Sequence, residues 1–149
     1  MEFNQEEFSY ELVNEMYPLW KAHYEEIATY KDIALDPDLE RYEIMARGGF
    51  LRIFTARDEG SLVGYQVFFV TQNPHYKRST QAVQDILFLS LVLRKGLTGY
   101  KFIKWCDERL KEEKIQLVFQ HVKEAHDFTP MLRRLGYQAH DKIMVRRLS

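Results

Sequence analysis

Cysteine, glycine, proline and any excess of one charge are all scarce in this chain of 149 residues. Cys106 is the only cysteine, which excludes an intramolecular disulfide and a zinc site built on several cysteines. The 21 basic and 22 acidic side chains leave a net charge of −1, which argues against a polybasic nucleic-acid binder. No apolar run reaches the ~18 residues of a membrane helix, and no secretion signal is visible. We therefore expect a cytoplasmic protein that binds neither membrane nor nucleic acid.

Aromatic residues, by contrast, are plentiful, at 14% of the chain, and hydrophobic residues make up 46%. Such a composition excludes a disordered chain. The length suits one domain that buries roughly 70% of the surface its unfolded chain exposes. We find no internal repeat, so residues 1–149 are predicted to form a single domain. Cys106 falls within a helical pattern, where a buried apolar role is favoured over a reactive thiol.

Hydrophobic spacing predicts the elements in the order α-α-β-β-β-α-β-α-β. The first helix covers 8–30, and the second follows Asp36 as N-cap with Pro37 in the first helical position and ends at Gly48-Gly49. A hairpin is predicted next, then a loop, a buried strand, a crossover helix and a parallel strand. A short helix stopped by Gly136 precedes a final strand or strand pair. The predicted strands cover 50–57, 62–70, 83–93, 115–122 and 137–148. The predicted loop covers 71–79, and the crossover helix covers 100–113.

The segment Arg94-Lys95-Gly96-Leu97-Thr98-Gly99 lies between the buried strand and the crossover helix. Free N–H groups at a helix start, the helix dipole, two cations and two glycines all favour an anion there. An ordinary strand-to-helix turn has the same appearance. The segment is neither a Walker loop, because Gly-Lys-Ser/Thr is missing, nor a dinucleotide-binding fingerprint, because the three-glycine spacing is missing.

The order of motifs resembles the GNAT superfamily of N-acetyltransferases, and within it the small phage-type members. In that family the fourth strand leads through a loop, Gln/Arg-x-x-Gly-x-Gly/Ala, into the helix that binds coenzyme A. Arg94 and Gly99 occupy the outer positions, whereas Leu97 replaces the middle glycine. The resemblance covers residues 10 to 148. Its other motifs are Leu19–Glu26, Leu35–Asp38, Thr55–Asp58 with Leu62–Tyr65, His75-Tyr76, Asp85, His126–Phe128 and Leu135–Tyr137.

The resemblance implies an α+β fold with a mixed, mostly antiparallel sheet, one parallel β-α-β unit, and helices on both faces. It also implies direct transfer of an acetyl group from acetyl-coenzyme A to a primary amine, without a metal. The acceptor is not identified. Main-chain groups of Leu91, Val92 and Leu93 would pair with pantetheine, and the strands on either side of the loop would separate. The N–H groups of Arg94, Lys95, Gly96, Leu97, Thr98, Gly99 and Tyr100 would hold the diphosphate.

Two residues are candidate bases that would keep the amine neutral. Asp85 lies inside an apolar strand, where a carboxylate is costly unless paired or functional, although a structural carboxylate bonded to a loop is an alternative. His75 is the second candidate because histidine is a common acid–base residue, the alternative being a solvent-facing loop histidine.

Other polar residues are candidates for binding the amine. His23 and Glu26 lie on one face of the first helix and are assigned to the acceptor, the alternative being a polar helix edge. A third metal ligand is missing, so we reject a metal at this pair. Tyr76 is assigned to the acceptor site as well.

One family feature is missing. Many members use a tyrosine as the acid for the leaving thiolate, and here that position is Leu132, so water, Tyr76 or His126 would substitute. The missing acid favours an alternative, a GNAT-shaped module of phage type that binds a host protein in the host cytoplasm. A coenzyme-independent binding domain is a weaker alternative. An edge strand near the C-terminus offers a route to a homodimer.

Overall fold

The computed structural model describes residues 1–149, with the exception of the side chain of Val92. Five strands and four helices form the fold, and two short 3₁₀ turns lie at Leu91–Leu93 and Glu124–His126. In chain order the elements are β1 (Glu2–Glu6), α1 (Tyr10–Ile27), α2 (Leu39–Arg47), β2 (Leu51–Asp58), β3 (Ser61–Asn73), β4 (Tyr76–Leu89), α3 (Thr98–Glu112), β5 (Leu117–Phe119) and α4 (Thr129–Arg134).

The five strands form one sheet in the order β1-β2-β3-β4-β5. The first four are antiparallel to their neighbours, while β4 and β5 are parallel and are joined through α3. Helices cover both faces, as the two hydrophobic clusters below show. The α+β class, the mixed sheet and the single parallel β-α-β unit are therefore confirmed.

Alternation along β2 and β3 sends neighbouring side chains to two different cores. Ile53 and Tyr65 pack on one face with Met16 and Trp20 of α1. Phe54 and Phe68 pack on the other face with residues of α3. Cys106 is among those α3 residues and is fully buried, which raises the pKa of its thiol and confirms the apolar role predicted for it.

Side-chain caps mark the residues at which α1 and α2 begin. Ser9 accepts a hydrogen bond from the Leu12 N–H at 3.1 Å and caps α1. The cap predicted for the second helix is wrong, because Asp38 rather than Asp36 accepts from the Arg41 N–H, at 3.0 Å. Two aspartates flank Pro37, and the helix begins only at Leu39, so Pro37 stays in the connecting segment rather than in the first helical position.

The β2–β3 hairpin confirms the predicted tight turn. Glu59 and Gly60 at its centre have φ of 48° and 83°, the left-handed pair that matches the twist of a two-residue hairpin. The loop predicted over 71–79 is wrong, because β3 continues to Asn73 and β4 begins at Tyr76. Side chains there are mostly polar, so no apolar alternation marks this part of the hairpin in the sequence.

The predicted end of the fourth strand is also wrong, since β4 ends at Leu89 and Leu91–Leu93 forms a 3₁₀ turn. Gly64 and Leu89 are the last paired residues, and the Ser90 N–H donates to the Val63 carbonyl at 2.9 Å. A continuous apolar run does not distinguish the end of a buried strand from the turn that follows it.

The two ends of the chain differ most from the prediction. The polar strand β1 was not predicted, and it pairs along β2 at the sheet edge. The final strand predicted over 137–148 is absent among the described residues, where 138–149 has no regular structure. Its apolar residues Ile143, Met144 and Val145 are 75%, 83% and 73% exposed. No helix in the described part of the chain is long and apolar enough to cross a membrane.

Candidate functional site

The sheet opens between β4 and β5. Pairing between these strands is limited to Gln81–Val83 with Leu117–Phe119. Beyond that point the side-chain oxygen of Gln84 accepts the His121 N–H at 2.7 Å, so a side chain replaces the strand ladder. The β4 edge from Asp85 to Leu89 consequently has no strand partner on this side among the described residues, in agreement with the separation expected from the sequence.

Asp85 lies on this part of β4, at a β-bulge. Gln84 pairs with Phe68 and Ile86 pairs with Val67, so Asp85 is the extra residue between them. The Tyr42 hydroxyl of α2 donates to its carboxylate. Burial raises the pKa of Asp85, and the hydrogen bond from Tyr42 offsets part of that rise. A bulge re-aims a side chain locally, which places this carboxylate toward α2.

A cavity of about 620 Å³ lies beside Asp85. Its walls come from the end of α1, the segment 28–37, Tyr42, and Val145 of the C-terminal segment. His23 of α1 also lines it, with its ring centroid 5.3 Å from that of Phe88. Burial lowers the pKa of His23 to about 4, so its imidazole is neutral at pH 7.

Glu26 and Arg94 form a bidentate ion pair, with Arg94 Nη2 at 2.8 Å from Glu26 Oε2. Arg94 Nε also donates to the Leu89 carbonyl at 2.7 Å, and the guanidinium lies 5.2 Å from the Phe88 ring centroid. His126 Nε2 lies 3.1 Å from the Glu26 carbonyl oxygen. The sequence assigned Glu26 to the amine and Arg94 to the diphosphate, whereas the structure joins them and so ties α1 to the loop after β4.

The loop after β4 ends in an uncapped helix start. Gly96 has φ of +74°, a conformation that favours glycine. Leu97 occupies the N-cap of α3 and supplies no side-chain hydrogen bond. The N–H groups of the first turn thus have neither an intrahelical partner nor a side-chain cap. A Cβ at Gly99 would lie 3.4 Å from Leu89 Cδ1 and 3.6 Å from Met131 Sδ, so the helix start packs closely on β4 and α4.

Three residues predicted to pair with pantetheine do not extend the sheet. Leu91 and Leu93 lie in the 3₁₀ turn, and Leu91 is 71% exposed. Val92 belongs to the same turn, while its side chain lies outside the described part of the structure. The open strand edge belongs instead to the last residues of β4, up to Leu89.

His75 and Tyr76 lie in the β3–β4 turn, at the opposite end of β4. The His75 N–H donates to Asn73 Oδ1 at 2.8 Å, and Tyr76 is 66% exposed. Tyr76 and Asp85 are nine positions apart along β4, or about 30 Å at the usual rise. The structure therefore does not bring His75 and Tyr76 to the cavity.

Sequence reasoning missed several polar partners. Tyr42 and Asp85 are 43 positions apart, and nothing in one sequence links them. On the other face Tyr137 donates to Asp107 Oδ1 at 2.7 Å and lies 3.4 Å from Gln120 Nε2. Burial raises the pKa of Asp107 to about 6. Leu132, at the family's acid position, is only 5% exposed and belongs to the core.

Comparison with solved structures shows the same fold in several acetyltransferases. An aminoglycoside acetyltransferase from an uncultured soil metagenomic sample, in complex with sisomicin, is 16% identical, with TM-score 0.74 over 99% of this chain and 95% of that one. A protein from Clostridium acetobutylicum, described as a predicted acetyltransferase and solved with acetyl-CoA, is 13% identical, with TM-score 0.77 over 98% and 96%. The ribosomal-protein-alanine N-acetyltransferase from Brucella melitensis biovar Abortus 2308 is 17% identical, with TM-score 0.69 over 99% and 100%.

Searches of protein-family models and of curated proteins find no match for this chain. The fold similarity spans nearly the full length of both chains in each structural pair. At these identities the similarity concerns the fold alone, and the fold is the one that the sequence motifs implied.

Proposed function

We propose that this chain, which has the fold of the GNAT N-acetyltransferases, transfers an acetyl group from acetyl-coenzyme A directly to a primary amine. One observation carries the proposal. A partly buried carboxylate, Asp85, lines a cavity and lies on an open strand edge that leads to an uncapped helix start. We also propose that the chain is similar to the small phage-type members of that superfamily, because its motifs follow the same order.

Coenzyme A suits the end of β4 and the start of α3. The N–H groups of the first turn of α3 point toward the space before the helix, where a diphosphate gains from the helix dipole. Lys95 is exposed in the same loop and adds positive charge. Arg94 is held by Glu26, so we assign it to positioning the loop. The unpaired edge of β4 would take the pantetheine amides as an added strand would.

Asp85 is the group we assign to the proton of the amine. An ammonium near pKa ~10 must lose a proton before its nitrogen can attack, and the Asp85 carboxylate accepts that proton. The nitrogen then forms a bond to the thioester carbon, the carbon–sulfur bond breaks, and the nitrogen releases its second proton to solvent water, which leaves a neutral amide and a thiolate. The coenzyme thiolate takes a proton from water, because Leu132 supplies none. His75 lies at the far end of the hairpin and receives no role.

The test is acetyl transfer itself. The protein is mixed with acetyl-coenzyme A labelled in the acetyl group and with primary amines, and thiol release and labelled amide are both measured. We expect amine-dependent thiol release with one labelled amide per thiol. Binding of acetyl-coenzyme A without any labelled product would overturn the enzymatic proposal and favour a binding module.

A further inference from the structure

The cavity beside Asp85 is apolar over most of its wall. Aliphatic side chains such as Ile33 and Val145 and aromatic side chains such as Trp20 and Tyr30 line it. A volume of about 620 Å³ falls within the range of small-molecule sites, and such sites are mostly apolar with a few placed polar groups. The wall therefore fits a compact apolar body better than a strongly hydrated one.

Ionisable groups in this wall are few. Asp36, Asp85 and Lys123 are its charged residues, and His23 also lines it. Lys123 Nζ is 3.2 Å from the Ile27 carbonyl oxygen, which holds the ammonium at the rim. A ligand with several ammonium groups needs a carboxylate for each group that it buries. This cavity offers the partly buried carboxylate of Asp85, the exposed carboxylate of Asp36 and a repelling cation.

The remaining walls are held in place by side-chain contacts. The Tyr24 hydroxyl lies 2.8 Å from the Lys31 carbonyl oxygen and 2.6 Å from that of Ile33, which fixes the segment after α1. Arg147 pairs with Asp32, with Nη1 at 2.7 Å from Oδ1, and so brings the C-terminal segment across to the same segment. These contacts link the wall segments of the cavity to one another.

From these features we infer that the acceptor is a primary monoamine with an apolar aliphatic or aromatic body, and not a polyamine or an aminoglycoside. This inference rests on the proposed function. The single ammonium sits at Asp85, and the body lies against the apolar wall toward Val145. The selectivity comes from the wall as much as from the carboxylate, since a second ammonium meets Lys123.

The experiment compares 2-phenylethylamine and tryptamine with spermidine and sisomicin as acceptors at equal acetyl-coenzyme A. We expect kcat/KM for the two monoamines to exceed that for the two polyamines by roughly tenfold or more. Equal values, or faster transfer to spermidine or sisomicin, would overturn the inference while leaving the acetyltransferase proposal intact. Absence of transfer to all four amines would contradict both.

Calorimetry of 2-phenylethylamine in the absence of acetyl-coenzyme A separates the two proposals further. Binding without any transfer supports the class of ligand and counts against the reaction. Lack of binding together with transfer to polyamines counts against the class of ligand alone. This readout does not depend on turnover.

Two substitutions test the wall directly. Lys123→Glu removes the repelling cation and adds a carboxylate, so the preference for 2-phenylethylamine over spermidine should fall by roughly tenfold. Ala28→Trp places a large side chain on the wall and should lower both transfer to 2-phenylethylamine and its binding. Ala22→Trp, at an exposed position of α1, is the matched control and should change neither. An unchanged preference in Lys123→Glu, or equal effects of the two tryptophans, would overturn the assignment.

Discussion

At the scale of single residues, two partly buried carboxylates each accept a hydrogen bond from a tyrosine. Asp85 accepts from Tyr42 on one face of the sheet, and Asp107 accepts from Tyr137 on the other. Burial raises the pKa of both. Of the two, only Asp85 lines the cavity, so comparing variants of both residues tests whether the role of Asp85 goes beyond the effect of burial.

Replacing Asp85 by Asn should abolish most of the acetyl transfer. The side chain keeps its size but no longer accepts a proton from the amine, and general-base catalysis is worth roughly 10²–10⁴-fold. We expect kcat to fall by that factor while the calorimetric affinity for acetyl-coenzyme A stays within about twofold of the parent. Asp107→Asn serves as the control and should keep most of the transfer rate. A fully active Asp85→Asn variant would show that the carboxylate is structural.

Asp107 should instead make stability depend on pH. Its pKa is about 6 in the folded protein against 3.8 ordinarily, so the folded state holds the proton more tightly. Between pH 4 and pH 6 the unfolding free energy therefore falls as the pH rises, by up to about 3 kcal/mol for this group. Tyr137, Glu108 and Cys106 are its titratable neighbours.

Urea unfolding of the parent and of Asp107→Asn at pH 4 and pH 7 measures this effect. The parent should lose about 1–3 kcal/mol relative to the variant between the two values, because Asn has no proton to lose. A difference between the two proteins that is the same at both pH values would be incompatible with a raised pKa at Asp107.

At the scale of elements, a substitution at the start of α3 should change the stability of the protein and its affinity for the coenzyme in opposite directions. Leu97 is 58% exposed at the N-cap and makes no cap hydrogen bond. Leu97→Asp should stabilise the protein by about 0.5–1 kcal/mol through capping and the helix dipole. The same carboxylate would occupy the space assigned to the diphosphate and should weaken acetyl-coenzyme A binding by roughly tenfold or more.

Leu97→Asn is the matched control, because it caps the helix about equally well without the charge. Thermal unfolding and calorimetry on the three proteins give both quantities. Equal coenzyme affinity for the Asp and Asn variants would place the diphosphate elsewhere.

Arg57 of β2 links its strand to β1 and α1, so it should contribute more to the unfolding free energy than an ordinary surface ion pair does. It pairs with Glu6 of β1 and Glu15 of α1 at 2.9 and 2.7 Å, and its side chain is 15% exposed. Arg57→Met leaves two carboxylates near each other, which should cost about 2 kcal/mol in the unfolding free energy. Arg47→Met removes an exposed pair with Glu43 and should cost less than about 0.5 kcal/mol. Similar losses in the two variants, measured by urea unfolding, would contradict this ranking.

The elements differ in how far the sequence determines them. The β2–β3 turn was predictable, because Asp58-Glu59-Gly60-Ser61 combines polar residues with the glycine that a left-handed turn needs. The parallel β-α-β unit was predictable from two apolar runs around an amphipathic helix. Strand β1 was not, because it is polar and depends on pairing with β2, which only the folded sheet provides.

At the scale of the whole molecule, the candidate site forms where β4 parts from β5. The sequence located the loop at 94–99 and the carboxylate Asp85, because both stand out locally from their surroundings. The ion pair of Glu26 with Arg94 spans 68 positions, and no local pattern shows it. The sequence assigned His75, Tyr76 and Asp85 to one site, but an extended strand carries His75 and Tyr76 to the other end of the sheet.

A crystal structure of the protein with acetyl-coenzyme A tests the central claim most directly. We predict that the diphosphate accepts hydrogen bonds from main-chain N–H groups between Gly96 and Tyr100, and that the pantetheine runs along the open edge of β4. The acetyl carbon should then face the cavity that Asp85 lines. A diphosphate bound away from the start of α3, or a thioester that faces away from Asp85, would contradict the account.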